Sequence, residues 1–184
     1  MNIFRTETTF DGHKRLYFCG IKIGSYKAKP SIELFRNMGV KIGENTRFIA
    51  PPNFGPEPFL IEIGDNCTIS FGVTFLTHDG AAFICNHFTD EYLDISKFGK
   101  ISIGDNCFIG CNSIIMPNIH IGNMCILGAG SVLTKSIPDG EVWAGNPAKF
   151  ICKIEDYAKK TINNHTSEEQ NQLRLVVKQM KGSN

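Results

Sequence analysis

From Ile103 onward every sixth position is aliphatic, at Ile103, Ile109, Ile115, Ile121, Leu127 and Leu133, and Gly104, Gly110, Gly122 and Gly128 follow four of these. Such a unit is too short for a helix. It suits a strand of about two to four residues and a corner, because strands alternate inward and outward side chains and glycine permits a turn. The match improves at eighteen residues, where IGDNCF, IGCNSI and IMPNIH are followed position by position by IGNMCI, LGAGSV and LTKSIP. Three short faces therefore make one coil. The same phase recurs upstream in IGDNCT, ISFGVT and FLTHDG from Ile63 to Gly80, with a fainter copy, IGENTR, at Ile42. The expected fold is an all-β triangular solenoid, in which each coil buries its anchors against the coils above and below, and the ends need caps.

Ile63 and Ile103 stand forty residues apart, which is two coils plus four. The place of the second coil is expected to be taken by an extended loop at 79–100, carrying Phe83, Phe88, Tyr92 and Phe98 beside Asp79, Asp90, Glu91 and Asp94. Loops of this length in compact domains are often functional. This one either walls a pocket or packs onto its own coil. Upstream, RLYFCGIKIGSYK alternates like strands and is read as a capping hairpin within an N-terminal cap over residues 1–38. The repeat domain covers 39–155, and 156–184 forms a helical extension. There Ser167 precedes Glu168 and Glu169 as an N-cap, and Leu173, Val176, Val177 and Met180 recur at helical spacing, predicting a helix over 167–181.

The chain of 184 residues fits one domain with appendages. Its 19 Lys and Arg against 18 Asp and Glu give a net charge of +1, which offers nucleic acid or a bilayer no global attraction, so a small ligand is expected. No run approaches the ~18–20 apolar residues of a membrane span, and MNIFRTETTF lacks the basic start and apolar core of a signal peptide. A cytoplasmic location is the expectation. The seven cysteines are an odd number and are read as free thiols. Cys67, Cys107 and Cys125 fall at the fifth position of an IG unit and should form an inward stack, whereas Cys19, Cys85 and Cys152 have no CxxC pairing. No metal is expected.

The stretch IGDNCFIGCNSIIMPNIHIGNMCILGAGSVLTKSIPDGEVWAGNPAK resembles the hexapeptide-repeat acetyltransferases, above all the maltose, galactoside and polysaccharide O-acetyltransferase branch. The likeness covers about residues 40–155. It implies a left-handed parallel β-helix, a homotrimer with active sites between subunits, acetyl-CoA as co-substrate, and a hydroxyl of a sugar or surface-polysaccharide precursor as acceptor. Solenoids of the carbonic anhydrase type instead bind zinc through three histidines. His78, His87 and His120 do not match them, because no His-x4-His pair is present.

Moving an acetyl group from a thioester to a hydroxyl needs a base, and neutral imidazole suits that task. His78 ends a regular coil in FLTHDG, and the resemblance assigns it the role of general base. Its orienting partner is Glu57 or Asp79. Asp79 is adjacent, while Glu57 in PPNFGPEPFL lies about one coil earlier, where strict phase would place residue 60 beneath His78. Neighbouring strand side chains point to opposite faces, which favours Glu57. Glu57 is also a candidate substrate contact, with Asn53 for a sugar hydroxyl.

Small residues at later corners, Gly110, Cys111, Gly128, Ala129 and Gly130, would let an amide-rich pantetheine arm reach the backbone. The resemblance implies pantetheine contacts at Cys111 and Ala129, an oxyanion contact near Gly110, an aromatic acceptor wall at Phe108, and CoA phosphate contacts at Thr134, Lys135 and Lys149. The family often has arginine where Lys149 stands; lysine keeps the charge without the bidentate geometry. Two other readings stand beside O-acetylation: N-acetylation of a nucleotide-linked amino sugar, and a non-catalytic scaffold that uses the solenoid and terminal helix for assembly.

Overall fold

A computed structural model describes residues 4–8, 13–18, 21–27, 32–88, 97–165 and 168–182, with residues 4–27, 82–83 and 180–182 described by backbone alone. The repeat forms three flat sides of parallel strands. Side one stacks Lys41–Ile42, Ile61–Ile63, Ile101–Ile103 and Ile119–Ile121. Side two stacks Arg47–Phe48, Thr68–Ile69, Phe108–Ile109, Ile126–Leu127 and Glu141–Gly145. Side three stacks Thr74–Phe75, Ile114–Ile115 and Val132–Leu133, with Asn53 bridged to Thr74. The anchors Ile63, Ile69, Phe75, Ile103, Ile109, Ile115, Ile121, Leu127 and Leu133 are all buried. Each such side chain contributes about 1.5–3 kcal/mol on burial, so the stack of anchors is the main source of stability.

A second inward row consists of Thr46, Cys67, Cys107 and Cys125, as the fifth-position phase predicts. These thiols are free, and they satisfy one another's coils: Cys67 Sγ donates to Gly104 O at 3.1 Å and Cys107 Sγ to Gly122 O at 3.0 Å. Among the described residues no group of three or more His, Cys, Asp or Glu side chains is placed to hold a metal.

Coil spacing is not uniform. Ile42 pairs with Ile63, an offset of 21, and the three residues beyond eighteen are accommodated by the 3-10 turn Pro58–Leu60. Ile63 pairs directly with Ile103, and Gly64 N–H donates to Ile103 O at 2.9 Å. The 79–100 segment is therefore inserted between neighbouring coils and does not stand in for a coil. A missing rung would leave ladder N–H and C=O groups unpaired, which is why the chain returns to the next rung. Further on, Ile121 bridges Ile137, an offset of 16, so this coil is two residues short.

At the N-terminal end, helix α1 (Ile32–Asn37) lays the buried Phe35 against Phe48 and Phe54, with ring centroids 4.9 and 5.1 Å away, closing the first coil with an aromatic plug. The strands Phe4–Thr8, His13–Phe18 and Ile21–Lys27 form a separate antiparallel sheet whose last two strands are the predicted hairpin. At the other end Glu141–Gly145 folds back on Ala148–Lys153. Helices α2 (Ile154–His165) and α3 (Glu168–Gly182) follow. The α3 helix matches the predicted one, while its expected cap Ser167 lies outside the described residues. α2 falls mostly within the helical extension expected over 156–184, with Ile154, Tyr157, Ala158 and Ile162 at helical spacing, although the sequence pattern delimits no separate helix there. Among the described residues no helix is long and apolar enough to cross a membrane.

Candidate active site

Side three of the second coil ends in Phe75, and the chain then leaves the stack through Leu76, Thr77 and His78. His78–Asp79 pairs antiparallel with Lys97–Phe98, which places Phe98 opposite His78 with ring centroids 6.1 Å apart. The inserted loop is thus pinned at its neck beside the imidazole. Its first turn is a 3-10 helix over Gly80–Phe88, started by Asp79, whose Oδ1 accepts the Ala81 N–H at 2.9 Å. Of the aromatic residues expected there, Phe98 reaches the imidazole and Phe88 is 87% exposed; the Phe83 side chain and Tyr92, with Asp90, Glu91 and Asp94, lie outside the description.

Glu57 is the carboxylate that meets His78: its Oε2 lies 2.9 Å from Nδ1. It arrives there because the offset of 21 in the first coil puts residue 57, not residue 60, under residue 78. A carboxylate only accepts, so Nδ1 donates, and in the neutral ring Nε2 is then the nitrogen that carries the lone pair. The His78 side chain is 41% exposed and that of Glu57 17%. The same Oε2 accepts the hydroxyl of buried Thr77 at 2.6 Å. These bonds, Thr77's first and His78's second, hold the Glu57 carboxyl below the ordinary carboxylate range. Asn53 supports the same segment, its Oδ1 accepting the Gly55 N–H at 3.0 Å.

The corner between sides two and three holds most of the other candidates. Gly110 is buried, its N–H donates to Leu127 O at 2.8 Å, and a Cβ there would stand 2.4 Å from Ala129 N. Its smallness serves coil stacking, and its amide is already engaged. Gly128 N–H and Gly130 N–H are likewise paired, with Trp143 O and Cys111 O. The Cys111 and Ala129 N–H groups make no backbone hydrogen bond among the described residues. Phe108, Gly128 and Ala129 line a groove of about 1050 Å³ with Ile126, Val142 and Ala144 of side two and with Ile151, Tyr157 and Lys160 from the return strand and α2.

Thr134, Lys135 and Lys149 are exposed and do not line this groove. The first two sit at the shortened corner leaving side three, and Lys149 pairs with Ala144 on the return strand. Among the described residues His120 and His87 form no ligand cluster with His78: His120 Nδ1 lies 2.9 Å from Ser102 Oγ on side one, and His87 is exposed in the loop. Sequence reasoning misses Thr77, the pairing of Phe98 with His78, and the α2 wall. Strand alternation in FLTH already places Thr77 inward beside an outward His78, and that was the available signal.

Six-residue rungs stacked on three sides define a β-solenoid, and an imidazole paired with a carboxylate stands at the exit of its inserted loop. The family model described as the hexapeptide repeat of succinyl-transferase matches residues 100–135. Protein CapG of Staphylococcus aureus is 49% identical over 140 residues, covering 75% of this chain and 80% of that protein. The galactoside O-acetyltransferase of Lactococcus lactis is 33% identical over 153 residues, covering 72% of each. The chain belongs to the hexapeptide-repeat acetyltransferases, with their left-handed parallel β-helix. Among solved structures, a maltose O-acetyltransferase from Clostridium difficile 630 is 26% identical with a TM-score of 0.48, covering 66% of this chain and 73% of that one.

Proposed function

We propose that this protein moves the acetyl group of acetyl-CoA to a hydroxyl of a sugar, free or within a surface-polysaccharide precursor, with His78 as general base. The observation that carries the reading is the Glu57–His78 pair, 2.9 Å apart, at the neck of the inserted loop. Nε2 takes the acceptor's proton as its oxygen attacks the thioester carbonyl carbon. The new C–O bond forms, the C–S bond breaks, and the CoA thiolate leaves with the proton from the imidazolium. Charge on the carbonyl oxygen is met by backbone N–H groups. With the Gly110 amide engaged, Cys111 and Ala129 are the assigned donors. Glu57 orients the ring, Asn53 and Phe98 flank the acceptor, and Thr134, Lys135 and Lys149 take the CoA phosphates.

The enzyme acts as a homotrimer in this reading. His78 stands at the corner leaving side three, whereas the Cys111 and Ala129 amides stand at the corner entering it. A partner copy brings the two corners together, so acetyl-CoA held against one subunit meets His78 of the next.

The test is mass spectrometry of a galactoside, maltose, amino-sugar and nucleotide-sugar panel incubated with acetyl-CoA. O-acetylation of a sugar hydroxyl is the expected result. Exclusive acetylation of an amine would replace it with the N-acetyl reading. No product, together with no rise in melting temperature with acetyl-CoA, would leave the scaffold reading in its place.

A further inference from the structure

Glu57 occupies the N-cap position of the turn Pro58–Leu60, yet its side chain makes no capping bond. The carboxylate turns instead to Thr77 and His78, both bonded to Oε2. Thr77 is 1% exposed, while its chain neighbours Leu76 and His78 are exposed. Its carbonyl accepts the Gly99 N–H at 2.8 Å, at the point where the loop rejoins the coil. One residue therefore ties together the rigid stack, the loop's return and the carboxylate.

We propose that Thr77 is a positioning residue for the transfer reaction, its hydroxyl fixing the Glu57 carboxylate on His78 Nδ1 and so fixing the tautomer that leaves Nε2 as the base. The inference rests on the His78 reading. A half-buried carboxylate on flexible rotors gains little from one hydrogen bond to an imidazole that water can also solvate. A second donor, held by the solenoid itself, preorganises the oxygen before substrate arrives.

Thr77→Val keeps the side chain's shape and removes the donor; Thr77→Ser keeps the donor. Release of CoA from acetyl-CoA is followed with methyl β-galactoside and with water as acceptors, in these variants, in Glu57→Gln and in the Glu57→Gln/Thr77→Val double variant. The valine variant should lose about tenfold in kcat with KM for acetyl-CoA unchanged, the serine variant should stay within about twofold, and the valine effect should vanish in the Glu57→Gln background. Nitrogen NMR of the neutral His78 ring, which needs no acceptor, should show one tautomer in the wild type and a mixture in Thr77→Val. If the valine variant does not fold, Thr77→Ala takes its place in every comparison. An equal loss in serine and valine variants, a valine effect that persists in Glu57→Gln, or an unchanged tautomer would overturn the role of Thr77. Full turnover in His78→Ala would instead overturn the reading beneath it.

Discussion

Two corners of the same solenoid are built on opposite plans. Between sides one and two every coil repeats one device, in which an Asp or Asn oxygen receives the backbone N–H of the coil before it. Asp65 takes Glu44, Asp105 takes Asp65, Asn123 takes Asp105 and Asp139 takes Asn123, at 2.7–2.8 Å. Between sides three and one no two coils agree: the offsets are 21, 40, 18 and 16 residues. A corner that satisfies its own backbone at every rung gains from uniformity, since each coil contacts only its neighbours. The irregular corner can diverge because the sides on either hand hold the register, and there Glu57, Thr77 and His78 meet. Under the proposed function, the contrast assigns stability to one edge and the base with its positioning groups to the other.

The strongest way to break that contrast is His78→Ala. Acetyl transfer should fall about 10²–10⁴-fold, the usual contribution of a positioned base, with the melting temperature and acetyl-CoA affinity unchanged. A large loss of stability would show that the irregular edge also holds the fold. Glu57→Gln should cost at least about tenfold in turnover and at most the roughly 10⁴-fold lost when the carboxylate orienting a catalytic histidine becomes an amide. Because the folded carboxyl lies below its ordinary pKa, its stabilisation is complete above the ordinary carboxylate range and is lost as pH falls through the folded value. Any melting-temperature gap between wild type and Glu57→Gln should therefore be present at neutral pH and close in acid; a gap that widens in acid contradicts the assigned direction.

At the uniform corner the effects should reverse. Gly64→Ala would put a Cβ 2.3 Å from Asp105 Oδ1 and 2.8 Å from the Gly104 carbonyl carbon. Overpacking against backbone of this kind costs about 1–3 kcal/mol, read from urea unfolding, while turnover of the folded fraction should be retained. Loss of turnover without loss of stability would mean that the two edges are coupled.

The repeat was legible because burial imposes one aliphatic anchor per rung, and the cysteine row followed from the same phase. The Glu57 register was legible too: Ile42 and Ile63 in IGENT and IGDNC stand 21 apart, and carrying that number forward from residue 57 gives residue 78. An assumed period of eighteen pointed to residue 60. The loop was located correctly, but its length suggested a replaced coil, since a count of residues cannot distinguish an insertion from a substitution. Ladder pairing decides that. Hydrogen-bond occupancy at Gly110, Cys111 and Ala129 was beyond reach for a related reason: all are small corner residues, and only the stacked geometry shows which amides the neighbouring coil already uses.

Met124 offers the finest test, because there the uniform corner departs from its own rule. The residue after each ladder oxygen is left-handed, at Asn66, Asn106, Met124 and Gly140, with Asn45 at the same place in the first coil; Met124 stands at φ 54° and is 53% exposed. An L side chain costs about 1–2 kcal/mol in that conformation, and asparagine escapes part of the penalty through local hydrogen bonds. Asn45 Nδ2 already reaches Asn66 Oδ1 at 3.3 Å, a lateral contact that methionine cannot continue. Met124→Asn should therefore raise stability by about 0.5–1 kcal/mol, as a higher urea midpoint with an unchanged slope. Met124→Gly relieves the same backbone strain but loosens the unfolded chain, so its gain should be smaller. Turnover should not move in either variant, since Met124 lies away from the corner that holds the proposed base. If asparagine gains nothing over glycine, the side-chain contacts contribute little and the ladder oxygens alone account for the corner's uniformity.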